Sequence, residues 1–200
     1  MPNTLPPVTR FTRNITREYR AASEAHRQEG MRWYAEARAN AVAMSEATGL
    51  SVEAACAIVA VLSPMLSWKR NLVVARTVCE QGEATGVLRA NLAKAQRILA
   101  GEPVESVVSG QKVSAFYRNI LSAGMDMGTT IDRHAVKVAH GRNVPSADID
   151  VTRREYAVYS EAYTRAARIL SREMGETVTP AQIQAVTWTA ARAKWAWRRA

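Results

Sequence analysis

Apolar side chains along this chain recur every three to four residues, the period of helices that bury one face. No alternating apolar and polar run long enough for a strand is present, so an all-α protein is expected. From Thr12 to about Thr48 the pattern is helical with little interruption, and Trp33 or Tyr34, Ala37, Ala41, Met44 and Ala47 trace one face. Gly49 ends that helix. Ser51 caps the next, which runs to Leu62 and is apolar on nearly every side, so it must be central to the fold. Pro64 stops it, and Ser67 caps a helix reaching about Glu80. Val87, Leu88, Leu92, Ala95, Ile98 and Leu99 mark another, ended by Gly101, and a short turn containing Pro103 follows.

Val113, Phe116 or Tyr117, and Ile120 form the stripe of a further helix whose first turn holds Lys112. Asp132 suits an N-cap or first-turn position of the one after it, with Ile131, Ala135, Val138 and Ala139 facing inward. Beyond Gly141 and Pro145, a turn with Asp148 and Asp150 leads to a helix from about Thr152 to Met174. Tyr156, Tyr159 and Tyr163 recur on it at helical spacing and read as core. Thr179-Pro180-Ala181-Gln182 is a capping box with proline at its first helical position, and it opens the last helix.

With 200 residues and 48% hydrophobic content, the chain can bury one sizeable core. A single all-α domain over residues 11–200 is expected, behind a loose tail over 1–10 that holds Pro2, Pro6 and Pro7 and does not read as a secretion signal. No apolar run has membrane-spanning length. Cys56 and Cys79 read as reduced core residues, so a cytoplasmic protein is expected; a monomer is expected as well. His26, His134 and His140 form no convincing ligand set with Cys or carboxylates, so neither a metal nor a cofactor is expected.

Charge adds a partner class. The formal net charge of +9 favours a polyanion. Arg10, Arg13, Arg17, Arg20 and Arg27 are spread along the first helical stretch, but Glu18, Glu24 and Glu29 are interleaved with them. A solvated arginine face is the plainer reading there, and phosphate contact the sharper one. Trp188, Trp195 and Trp197 accompany Arg192, Lys194, Arg198 and Arg199 in an end that carries no acid after Glu176, the best local case for phosphate contact.

Lys112 and Asp132 stand at the starts of successive helices, a candidate nucleophile and a candidate carboxylate. Alone, the first is an ordinary surface lysine and the second an ordinary cap. Their setting, Gly110-x-Lys112-Val113-Ser114-Ala115 followed by Thr130-Ile131-Asp132-x-His134 and Val138-Ala139, resembles the helix-hairpin-helix DNA glycosylase superfamily, the endonuclease III and 8-oxoguanine glycosylase group. Ala57-Ile58-Val59-Ala60-Val61-Leu62-Ser63-Pro64-Met65 is similar to the early helix of that group. Small phage-encoded members, including enzymes proposed to hypermodify thymine, are the nearest comparison.

The resemblance implies a two-lobed helical fold with a helix-hairpin-helix element and duplex DNA, with one base flipped out, as the partner. It implies base N-glycosylase chemistry, with or without a lysine-dependent lyase step at abasic sites. Lys112 takes the position of the amine that attacks the sugar C1′, Asp132 that of the carboxylate stabilising the oxocarbenium ion, and His134 the structural place beside it, next to Arg133. Ser109, Gly110 and Gln111 take the place of the phosphate-gripping hairpin, although only one of the group's usual hairpin glycines is kept. Ser63, Met65, Trp68, Lys69, Arg70 and Asn71 fall on the loop that fills the gap left by the flipped base. Apolar wedges followed by phosphate-binding cations are what duplex distortion requires; the plainer alternative is that Met65, Leu66 and Trp68 tuck into the core. The same cleft suits two other readings, a DNA-binding module without catalysis and a transferase acting on modified pyrimidines.

Overall fold

A computed structural model of the chain describes residues 5–145 and 149–196, with backbone alone at 195 and 196. Asp148, Trp197, Arg198, Arg199 and the side chain of Trp195 lie outside the described set. Among the described residues the regular elements are all helical: α1 (Val8–Ala21), α2 (Glu24–Thr48), α3 (Val52–Leu62), α4 (Trp68–Gln81), α5 (Arg89–Leu99), α6 (Val104–Val107), α7 (Gln111–Leu121), α8 (Arg133–His140), α9 (Arg153–Met174) and α10 (Pro180–Ala196). The chain divides into two compact units, one of Met1–Tyr34 with Gly124–Ala200 and one of Ala35–Ala123. Helix α2 begins in the first unit and ends in the second.

Two stretches differ from the pattern reading for local reasons. The expected tail over 1–10 loses Val8–Arg10 to α1, because Pro7 presets the backbone for a helix start and Phe11, one turn in, is 1% exposed. The expected continuous helix from Thr12 to Thr48 breaks after Ala21. Ser23 accepts the His26 N–H on its hydroxyl at 3.2 Å and the Arg27 N–H on its carbonyl at 2.9 Å, so it starts α2 as a cap. Arg27 also donates to the Ala22 carbonyl at 2.7 Å, which satisfies the end of the preceding turn.

The second unit is built around α3. Every side chain from Ala55 to Leu62 is buried, and α4, α5, α6 and α7 pack against it. Each buried Val, Ile or Leu contributes about 1.5–3 kcal/mol of transfer free energy. The hydroxyl of Ser51 starts this helix by accepting the Ala54 N–H at 3.0 Å.

The first unit packs α1, α8, α9 and α10 around Phe11, Ile15, Tyr163, Leu170, Ile183 and Val186. Asn14 reaches from α1 to donate to the Ala139 carbonyl at 2.8 Å, meeting a partnerless carbonyl in the last turn of α8. Capping boxes open both long helices. Thr152 and Glu155 serve α9, and Thr179 and Gln182 serve α10, with the two α10 bonds at 2.8 and 3.1 Å.

Two measurements check this packing. Gly30 lies inside α2, where alanine would ordinarily be favoured by about 1 kcal/mol. A Cβ there would stand 2.3 Å from Val186 Cα and 2.6 Å from Val186 N, backbone atoms that cannot swing aside. Overpacking costs about 1–3 kcal/mol, and a contact this short with backbone belongs at the upper end, so after the propensity gain Gly30→Ala should lower stability by about 1–2 kcal/mol in urea unfolding. A stabilised variant would contradict the close approach.

His140 closes α8, where the dipole favours a cation. Burial, then Arg142 and Arg10, outweigh that and hold its pKa below the ordinary value, with Nε2 2.9 Å from the Tyr159 hydroxyl. A depressed folded-state pKa means that the unfolded chain binds the proton first, so stability present above about pH 6.5 is lost as pH falls toward the folded-state value. The His140 Cε1 proton should titrate below about 6.5 in NMR spectra. The melting temperature should also fall further between about pH 7 and pH 5 in the wild type than in His140→Gln. Equal falls would contradict the assignment.

Candidate functional site

Asp132 occupies the position its sequence dictates. It caps α8 from extended backbone, and its Oδ1 accepts the Ala135 N–H at 2.8 Å, so the carboxylate sits at the positive end of the helix dipole. The residues leading into it are held in place. The Tyr156 hydroxyl donates to the Thr129 carbonyl at 2.7 Å and accepts the Ile131 N–H at 3.2 Å. The Tyr34 hydroxyl lies 3.1 Å from Thr130 Oγ1 and 3.1 Å from Gln184 Oε1. Thr129, Thr130 and Ile131 are buried, and the half-buried Asp132 therefore emerges from fixed backbone.

The residues just after it divide by exposure. Arg133 is exposed, while His134 is half-buried with its ring 6.2 Å from that of Trp188 in an edge-on arrangement. The aromatic stripe on α9 also divides. Tyr159 and Tyr163 are core, as expected, but Tyr156 is half-buried and spends its hydroxyl on the approach to Asp132. Its spacing matches that of its two neighbours, so no sequence signal set it apart.

In the second unit, Lys112 is the second residue of α7 and is exposed. Gly110 precedes the helix at φ +84°, a left-handed conformation that glycine adopts without strain, and a Cβ there would meet no neighbour within 4 Å. The short α6 and the turn Val108-Ser109-Gly110 thus lead into α7 through an open reversal. Ser109 accepts from Lys94 Nζ at 2.7 Å on the surface, and Gln111 is exposed beside it. On the inner face of α7, Tyr117 donates to Glu53 Oε1 at 2.9 Å, and burial, then Glu53, raises its pKa.

The loop from Ser63 leaves α3 with the Ser63 hydroxyl donating to the Ala60 carbonyl at 2.8 Å. Met65 then adopts φ +68° and is 77% exposed. A non-glycine residue in that region costs about 1–2 kcal/mol. Tucking into the core, the plainer expectation for this loop, does not hold for Met65 and holds only in part for Leu66 and Trp68, which are half-buried.

Trp68 meets Phe116 edge-on at 6.3 Å. Phe116 stands one turn beyond Lys112, and residues four apart share a helix face. The start of α4, which follows the Met65 loop, therefore meets the Phe116 side of α7. Lys69 and Arg70 are exposed, and the Arg70 guanidinium donates to the Thr85 carbonyl at 3.3 Å. Asn71 is corrected: it is 1% exposed and donates to the Val59 carbonyl at 3.1 Å, tying α4 to α3 rather than facing a ligand. The cap at Ser67, four positions earlier, sets the phase of α4 that turns this side chain inward, which the polar residue type did not reveal.

Burial pushes the Cys56 and Cys79 thiols up to about 11, so neither is a nucleophile near neutral pH. Among the described residues no group of three or more His, Cys, Asp or Glu is placed to hold a metal ion, and no single helix is long and apolar enough to cross a membrane.

Comparison with known proteins gives a family. A model of the DUF7178 family, a family of unknown function, matches residues 4–195, and the chain belongs to that family. No curated protein and no solved structure matches it.

Proposed function

We propose that this protein is a DNA base N-glycosylase acting on a nucleotide turned out of the duplex. The observation that carries the reading is Met65, a flexible apolar side chain held exposed on left-handed backbone, with Lys69 and Arg70 just behind it. Backbone strain gathers where function requires a particular presentation. An apolar wedge followed by cations suits a loop that enters the base stack while gripping phosphates, and it offsets the few kcal/mol that extrusion of a base costs.

The chemistry assigns a role to each end of the motif. The C1′–N bond breaks with its electron pair leaving on the base, which takes up a proton, and positive charge builds on the sugar. A carboxylate fixed beforehand stabilises that charge without reorganising, and the Asp132 cap with its clamped approach supplies such a group. In the lyase step the deprotonated amine of Lys112 gives its electron pair to C1′. The ring oxygen then departs with its electron pair and takes a proton, the amine nitrogen loses one, and an imine remains. Without that step, water takes C1′.

Asparagine caps a helix about as well as aspartate, so Asp132→Asn should keep its melting temperature while losing the charge. Its base release from a panel of duplexes with modified bases should fall at least about 100-fold. Borohydride should trap a covalent adduct of the wild type on abasic DNA and none with Lys112→Ala. Absence of any adduct removes the lyase step alone. Undiminished base release by Asp132→Asn overturns the proposal.

A further inference from the structure

The first unit carries a feature that the base chemistry does not use. Where α1 packs on α9, an open groove of about 530 Å³ is lined by Arg13, Arg20, Arg165, Arg168 and Arg172. Arg20 pairs with Glu173 and Arg165 with Glu161, both on the surface. Among the described residues no carboxylate pairs with Arg13, Arg168 or Arg172. Like charges brought together on neighbouring turns destabilise a helix, so folding alone gives no reason to gather them.

We infer that this groove binds the phosphate backbone of DNA. Arg165, Arg168 and Arg172 share one face of α9, and from first to last they span about 10 Å at 1.5 Å per residue. That is longer than a single phosphate and fits a linear polyanion. Guanidinium forks match phosphate oxygens in pairs, and they remain charged at every physiological pH. The one large apolar side chain lining the groove is Ile169, 39% exposed, far less than the apolar face that a membrane surface requires. The inference rests on DNA being the partner and is independent of any step at the base. It also changes the reading of the α1 arginines: α9 supplies the cations that make two of them, Arg13 and Arg20, part of a binding surface.

Fluorescence anisotropy of a labelled duplex of about 30 base pairs tests this across a range of potassium chloride concentrations. The triple variant R13Q/R168Q/R172Q should bind at least about tenfold more weakly than the wild type, and its slope of log affinity against log salt should be shallower by about 2–3. The charge-matched variant R76Q/R89Q/R154Q, altered at exposed positions outside the groove, should stay within about threefold of the wild type with nearly its full slope. Circular dichroism checks that each protein is folded; if the triple variant is not, Arg168→Gln alone should reduce the slope by about 1.

Equal losses in the two triple variants would overturn the inference. Groove-dependent binding to polyglutamate, or to phosphatidylcholine vesicles containing phosphatidylglycerol, stronger than binding to DNA would also overturn it. Failure of base release in a protein that keeps this groove dependence counts against the glycosylase reading alone.

Discussion

The first turn of an α-helix leaves backbone N–H groups without partners, and side chains that meet them set Asp132 and the end of the Met65 loop in place. Asp132 answers the Ala135 N–H, Ser67 answers the Arg70 N–H at the end of the Met65 loop, and Gly110 turns the chain into α7 ahead of Lys112. The same requirement sets the starts of α3, α9 and α10 through Ser51, Thr152 and Thr179. Each side chain singled out is therefore positioned by local backbone geometry first. Tertiary packing then decides whether it faces solvent.

Packing makes these local positions rigid in two separate ways. In the second unit α3 is buried from Ala55 to Leu62, and the loop after its end leaves Met65 exposed while Leu66 and Trp68 are half-buried. Trp68 on Phe116 and Asn71 on Val59 fasten the far side of that loop, so the strain at Met65 persists. In the first unit the approach to Asp132 is fixed by hydroxyl groups rather than by apolar contact. Tyr156 holds two backbone groups, and Tyr34 links Thr130 to α10 through Gln184. A buried polar network of this kind orients a group closely, at the cost of requiring that its members be satisfied.

Much of the helical framework was legible in the sequence because caps act over three or four residues. Ser51, Ser67, Asp132, Thr152 and Thr179 begin helices as their spacing dictates, and the apolar run from Ala55 to Leu62 is the centre of its unit. The features that escaped involve residues far apart in the chain, or signals weaker than glycine or proline. The break before Ser23 lies in an alanine-rich stretch whose only marker is one hydroxyl. Asn71 looked like a surface amide until α3 supplied a carbonyl, and Tyr156 looked like core until the loop at 129–131 came to its hydroxyl. The arginines of α9 acquire meaning only beside those of α1.

The central claim is that a carboxylate set at the start of α8 serves the breaking of a glycosidic bond in DNA. Mass analysis of duplex DNA incubated with the wild-type protein tests it most directly, across substrates carrying a range of modified bases. The account predicts a freed base and a matching abasic site on at least one substrate. DNA that returns with its mass unchanged in every case, or that gains a group while losing no base, would contradict it.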